Sequence, residues 1–295
     1  MTSKASDSPR RRAPKAGPRF SVGACVGTAF SAWARHAVPF AIVSLVCQVP
    51  VFAAIRFVGG DMFASGPDGL IRALAAMLLS LLAWNLSLGA ITFGVLESLR
   101  GGRATIGRCL GVAFRTLPRL FGISFRMALH LLLGGALAIL VVALVVSLLP
   151  FGETGEAPTF LSPPRVFVTG ALLGIALLEY LARFATSGPI AVVEGVDHWE
   201  SMERSRRLSF GRRWAVGTTL FLVVAAPTAF TIWLSFYGPA APGAGGGAEA
   251  WRWVADGIQV LVTGPLVGAA VAAIYHDLRR EREGVGADDL AGVFD

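Results

Sequence analysis

The chain has 295 residues, of which 54% are hydrophobic and 15% charged, with a mean hydropathy of +0.64; this excludes an ordinary soluble domain and places the chain among integral membrane proteins. Its net charge of +7 would raise nucleic-acid binding in a soluble protein, but nearly all the cations fall on one set of connecting segments, so no nucleic-acid partner is expected. Arginine supplies almost all of them, with lysine only at Lys4 and Lys15, a bias read mainly as codon usage rather than phosphate recognition.

In chain order, residues 1–19 are basic and proline-containing and read as a disordered tail. Six apolar runs follow, at about 37–57, 71–98, 120–149, 166–187, 214–237 and 254–275, each near the roughly 20 residues that cross a bilayer. The predicted membrane domain is therefore 20–275, with 276–295 as a C-terminal tail. Arginines crowd the N-terminus, 100–119, 204–213 and 279–282, while the intervening connections are acidic or rich in glycine and proline. The positive-inside rule then predicts both termini on the cytoplasmic side of a bacterial inner membrane.

An internal repeat organises this pattern. Ser21 to Phe30 matches Thr105 to Phe114 with Gly, Cys, Gly, Ala and Phe identical. Both copies place apolar residues at helical spacing, which predicts an amphipathic helix on the membrane surface ahead of each transmembrane pair. The repeat also argues against a cleaved signal peptide ending near Ala32-Trp-Ala34, because such a leader has no reason to resemble an internal connector. A third copy, inferred from position, covers His198 to Phe210 with its apolar stripe eroded by arginine and glutamate. The expected fold is all-α: six transmembrane helices in three parallel repeats, at about 20–99, 103–187 and 197–275, related by an axis along the membrane normal.

Chemistry-bearing residues concentrate around the third connector. Glu179 and Arg183 stand four apart, so they share a helix face; unpaired charge at mid-membrane costs about 2.5–3.5 kcal/mol on insertion scales. Either they line a polar pathway, or Arg183 snorkels to the interface with Glu179 as its companion. Pro189 is expected to stop that helix, and Glu194 follows it as a further polar candidate. Arg204, Arg206, Arg207, Arg212 and Arg213 would suit anionic lipid headgroups at about 1 kcal/mol each, although topology alone already demands positive charge there. Asn85 with Ser80 and Ser87 forms a streak explained by interhelical hydrogen bonds. Gly264 to Gly268 has small-xxx-small spacing around Pro265, which reads as close packing or a kink.

Cys25, Cys47 and Cys109 form no paired motif, and the four histidines are scattered, so neither a metal nor another cofactor is expected. Walker, zincin and nucleophile-elbow motifs are missing. Three stretches resemble a broad group of poorly characterised bacterial multi-pass proteins, the membrane domain of glycerophosphoryl diester phosphodiesterase and the overlapping YciC-like proteins: Gly94 to Leu120, Arg183 to Trp214, and Ala273 to Arg279 with Glu283-Gly284. That resemblance implies a helical membrane module, not an activity, because the chain has no His-Arg dipeptide and no room for a phosphodiesterase barrel. The reading is a non-enzymatic scaffold or accessory module whose partners are membrane lipids and either another protein or a second copy of the chain. Its alternative is a transporter or channel subunit with a polar pathway near Glu179 and Arg183.

Overall fold

A computed structural model describes residues 19–58, 67–148, 163–237, 254 and 257–284. The expectation of a disordered tail at 1–19 falls almost wholly outside them. The described regular structure is all helical: α1 (Val22–Arg35), α2 (Ala37–Val58), α3 (Pro67–Leu99), α4 (Ile106–Leu148), α5 (Pro163–Phe184), α6 (Ser187–Val193), α7 (His198–Ser209), α8 (Arg213–Tyr237) and α9 (Gly264–Glu283), the last preceded by a π-helical turn at Gln259–Thr263. Six of the segments are long and apolar enough to cross a membrane. The helix expected over 254–275 continues to Glu283, so part of the anticipated tail is helical.

Burial separates the centre of the bundle from its rim. In the last candidate span 61% of the residues are buried inside the protein and in α3 39%, against 6% in the spans of α4 and of α5–α6. Alanines make α9 central: Ala269 and Ala272, with Tyr275, join a core shared with α2, α3, α4 and α6, whereas Ala270 and Ala273, with Ile274 and Leu278, join a second core shared with α1 and α8. Small side chains let helix backbones approach where lipid leaves little hydrophobic drive for association. Outer faces carry large apolar residues in the open, among them Leu132, Leu133, Leu137 and Leu140 of α4. A water-facing surface of that kind would be an association hazard; in hydrocarbon it costs nothing.

The two matching connector segments bury the same positions, with Phe30 and Phe114, apolar members of the periodic stripe, exposed in both. Cys25, Ala29 and Ala32 are buried on α1, and Cys109, Ala113 and Thr116 are buried on α4 at the matching positions. Over 21–35 and 105–119 the burial pattern agrees position for position. At the third connector Ser201, Ser205 and Leu208 are buried in the same register. The arginines and glutamates that seemed to erode this stripe lie on the other faces of α7.

Local breaks differ from the expectation in two places. The second amphipathic segment is not separated from its membrane helix: α4 runs unbroken for 43 residues with Pro118 inside it, whereas α1 ends at His36, whose Nε2 lies 2.8 Å from Ser98 Oγ on α3. Pro189 does not stop the fourth apolar helix. α5 ends at Phe184, and Pro189 sits in the first turn of α6, where a missing N–H costs no intrahelical bond.

Burial also sets thiol chemistry. All three cysteines are free and buried, and burial together with the nearby Asp277 carboxylate pushes the Cys25 thiol well above its usual range. Maleimide at about pH 8.5, the ordinary thiol pKa, is expected to label the native protein slowly and all three sites after SDS denaturation. Rapid labelling of Cys25 in folded protein would contradict the register of α1.

Candidate functional site

The functional candidates meet at the arginine-rich end, and α9 is their hub. Tyr275, Arg279 and Glu283 are spaced four apart, so one helix face presents all three. Tyr275 is fully buried and its hydroxyl donates to Glu194 Oε1 at 2.9 Å. The other Glu194 oxygen lies 2.6 Å from Arg204 Nε, an ion pair rather than an aligned hydrogen bond. Arg204 Nη2 donates to Glu283 Oε1 at 2.7 Å, Arg279 Nε donates to Glu283 Oε2 at 2.7 Å, and Arg279 Nη1 donates to the Tyr275 hydroxyl at 3.0 Å. The circuit closes on itself, with two carboxylates matched by two guanidiniums. It joins the C-terminal cap of α6, the middle of α7 and the end of α9. Arg100 lies close by at the end of α3; burial lowers its pKa, opposed by the neighbouring Glu97 and Tyr275.

Three further carboxylate-centred clusters lie around the circuit. Glu179 Oε1 accepts from Arg183 Nε at 2.8 Å and from Arg213 Nη1 at 3.3 Å, tying α5 to the start of α8. Glu281 accepts from Arg212 Nη2 at 2.6 Å and, through its other oxygen, from the backbone N–H of Phe20 at 3.2 Å. Arg282 donates to the Phe210 carbonyl. Arg206 and Arg207 both reach Glu203 and hold its carboxyl below the usual range. Each of the five arginines singled out as a headgroup contact thus has a carboxylate partner within the protein.

The serines of α7 explain why its buried stripe is polar. Ser205 Oγ and Ser209 Oγ donate to the Arg183 carbonyl at 3.0 and 3.3 Å, and Thr186 Oγ1 lies 2.9 Å from Ser205 Oγ. α5 breaks at 185–186, leaving carbonyls without intrahelical partners, and α7 supplies the missing donors. Outside that stripe, α7 is fixed to α4: the Arg126 guanidinium stacks 3.3 Å from the Trp199 ring centroid, and a Cβ on Gly122 would come within 3.1 Å of His198 Cγ. Between α7 and the end of α9 lies a cavity of about 510 Å³ lined by Trp199, Glu200, Glu203, Arg207, Arg282 and Glu283, among others.

Deeper in the bundle, Ser124 Oγ donates to Asn85 Oδ1 at 2.7 Å and Ser44 Oγ lies 3.3 Å from Ser87 Oγ, the interhelical pairing expected of that streak. Thr263, the last residue of the π-helical turn, is buried, and its hydroxyl has no hydrogen-bond partner among the described residues.

Sequence reasoning placed Glu194 and Arg204 near the connector but missed Tyr275, Arg279 and Glu283. Their four-residue spacing was a visible signal, hidden by assigning 276–295 to a tail.

Fold and site together define a multi-pass helical membrane protein with carboxylate–guanidinium pairs gathered at one end. No family model matches the chain, and neither a curated protein nor a solved structure matches it.

Proposed function

We propose that this chain is a non-enzymatic scaffold or accessory module of a bacterial inner membrane, with both termini cytoplasmic and three parallel repeats. The closed circuit of Glu194, Arg204, Glu283, Arg279 and Tyr275 carries this reading. It spends two carboxylates, two guanidiniums and a phenol on joining three chain segments, the use of charge expected of a fixed assembly rather than of an acid–base centre poised to exchange protons. The matching burial registers of α1, the start of α4 and α7 support the repeats. The resemblance to the membrane domain of glycerophosphoryl diester phosphodiesterase and to YciC-like proteins is retained on its sequence stretches alone.

The test is reconstitution of purified protein in liposomes, assaying release of glycerophospholipid headgroups. Background release is expected, while Glu194→Ala lowers stability. Turnover by the wild type that Glu194→Ala abolishes would overturn the reading.

One observation favours transport as the second reading. The π-helical turn ahead of Pro265 shifts the hydrogen-bond ladder, with Gly264 N–H bonded to the Gln259 carbonyl, and π-bulges recur at functional sites. The unpaired Thr263 hydroxyl lies on that turn. A pathway predicts solute flux above that of empty liposomes, reduced in Thr263→Val and in Glu179→Gln; background flux across a broad solute panel counts against it.

A further inference from the structure

We infer that the cavity between α7 and the end of α9 binds a phosphoethanolamine-type zwitterion, a phosphate and a primary ammonium, presented by a membrane phospholipid.

Charge balance selects this chemistry. Arg204, Arg207 and Arg282 face the cavity together with Glu200, Glu203 and Glu283, so the lining is formally neutral. An anionic headgroup would bring an uncompensated charge into it, whereas a zwitterion finds both donors for its phosphate and acceptors for its ammonium in the lining, since α7 and the end of α9 each contribute both signs. Arg207 is paired with Glu203 only at the surface, its side chain 77% exposed, and surface pairs of this kind exchange partners at a cost of about 1 kcal/mol or less. Glu200 is exposed; its backbone N–H is taken by the Asp197 cap, while its carboxylate has no partner among the described residues. That carboxylate is the free acceptor for an ammonium.

Position selects the lipid over a soluble donor of the same group. Trp199 at the cavity rim is 58% exposed and is stacked by Arg126. Arg126 belongs to α4, where exposed leucines begin within one turn of it and continue along the helix. The cavity mouth therefore lies where the lipid-facing surface of α4 meets the charged end of the bundle, the level at which interfacial tryptophans and headgroups sit. A volume of about 510 Å³ lies within the ordinary range for small-ligand sites and admits a headgroup while its acyl chains remain outside against α4.

The inference rests on the scaffold reading only in treating the lipid as a resident ligand rather than a substrate. Native mass spectrometry of detergent-purified protein, incubated with equimolar phosphatidylethanolamine and phosphatidylglycerol, tests it. Wild type is expected to retain one phosphatidylethanolamine in preference to phosphatidylglycerol by at least about fivefold, a difference of roughly 1 kcal/mol. Glu200→Gln, at an exposed position without a folded-state partner, is expected to erase that preference with an unchanged melting temperature. Millimolar glycerophosphoethanolamine, a soluble phosphodiester with the same net-neutral headgroup, separates the sources: failure to displace the lipid supports a membrane-presented ligand, and complete displacement overturns the lipid assignment. Equal retention of the two lipids by wild type, or a preference that survives Glu200→Gln, overturns the site itself. Conversion of the bound phosphatidylethanolamine to a product would instead sink the non-enzymatic reading and leave the site standing.

Discussion

Glu194→Ala is expected to lower the apparent melting temperature in detergent by on the order of 5–10 °C, corresponding to about 2–4 kcal/mol. Breaking a buried ion pair by removing one partner costs about 3–5 kcal/mol because the other charge is left behind. Here the side chains of Glu194 and Arg204 are 14% and 36% exposed, which places the expected loss below the top of that range. Arg204 keeps Glu283, but the Tyr275 hydroxyl loses the acceptor it has among the described residues while remaining fully buried, and an unmet buried donor costs about 1–3 kcal/mol. Tyr275→Phe should therefore cost less than Glu194→Ala, and adding it to Glu194→Ala should cost little more. Strict additivity in that double-mutant cycle would mean that the two groups do not form one network.

The second large effect comes from the contact of α9 with α3. A Cβ on Gly268 would lie 2.8 Å from Ile91 Cγ2 and 3.2 Å from Ile91 Cβ. Ile91 is 1% exposed and β-branched, so its Cγ2 cannot swing aside without leaving its rotamer. Gly268→Ala is expected to destabilise by about 1–3 kcal/mol, with Gly268→Val worse. Ile91→Leu conserves volume but removes the obstructing Cγ2, so it should recover part of the Gly268→Ala loss. Gly27→Ala serves as the control: nothing lies within 4 Å of its Cβ position, and replacing a helical glycine there should stabilise by up to about 1 kcal/mol. Equal losses at Gly268 and Gly27 would contradict the close approach of α3 and α9.

What could be read from the sequence follows from which interactions are local. Apolar runs of membrane length depend on local composition alone and emerge as long helices; of the periodic stripe, Cys25 and Cys109 are buried, whereas Phe30 and Phe114 are exposed. The Glu179–Arg183 pair was legible for the same reason, being one helix turn apart. Arg213, its third member, arrives from α8 and carries no local mark. The circuit was hidden because its links span 79 residues between Arg204 and Glu283 and 81 between Glu194 and Tyr275. Pro189 misled through a sound rule applied one step early, since a proline interrupts a helix interior but is well placed in a first turn. The stripe of α7 reads as eroded by arginine and glutamate, whereas what replaces the apolar side chains on its buried face is serine, at Ser201, Ser205 and Ser209. The purpose of the latter two, covering the open carbonyls of α5, exists only once α5 is known to break before them.

In the proposed topology the arginine-rich connectors gather on the cytoplasmic face of a multi-pass bundle. Site-directed thiol labelling tests it most directly. In a background with the three native cysteines replaced, single cysteines at Thr105 and Arg206 would report the arginine-rich end, and single cysteines at Asp68 and Val254 the opposite end. A membrane-impermeant maleimide applied to intact bacterial cells is expected to label Asp68→Cys and Val254→Cys, while Thr105→Cys and Arg206→Cys react only after the membrane is opened. Labelling of Thr105→Cys or Arg206→Cys in intact cells, or protection of Asp68→Cys alongside them, would contradict the proposed topology.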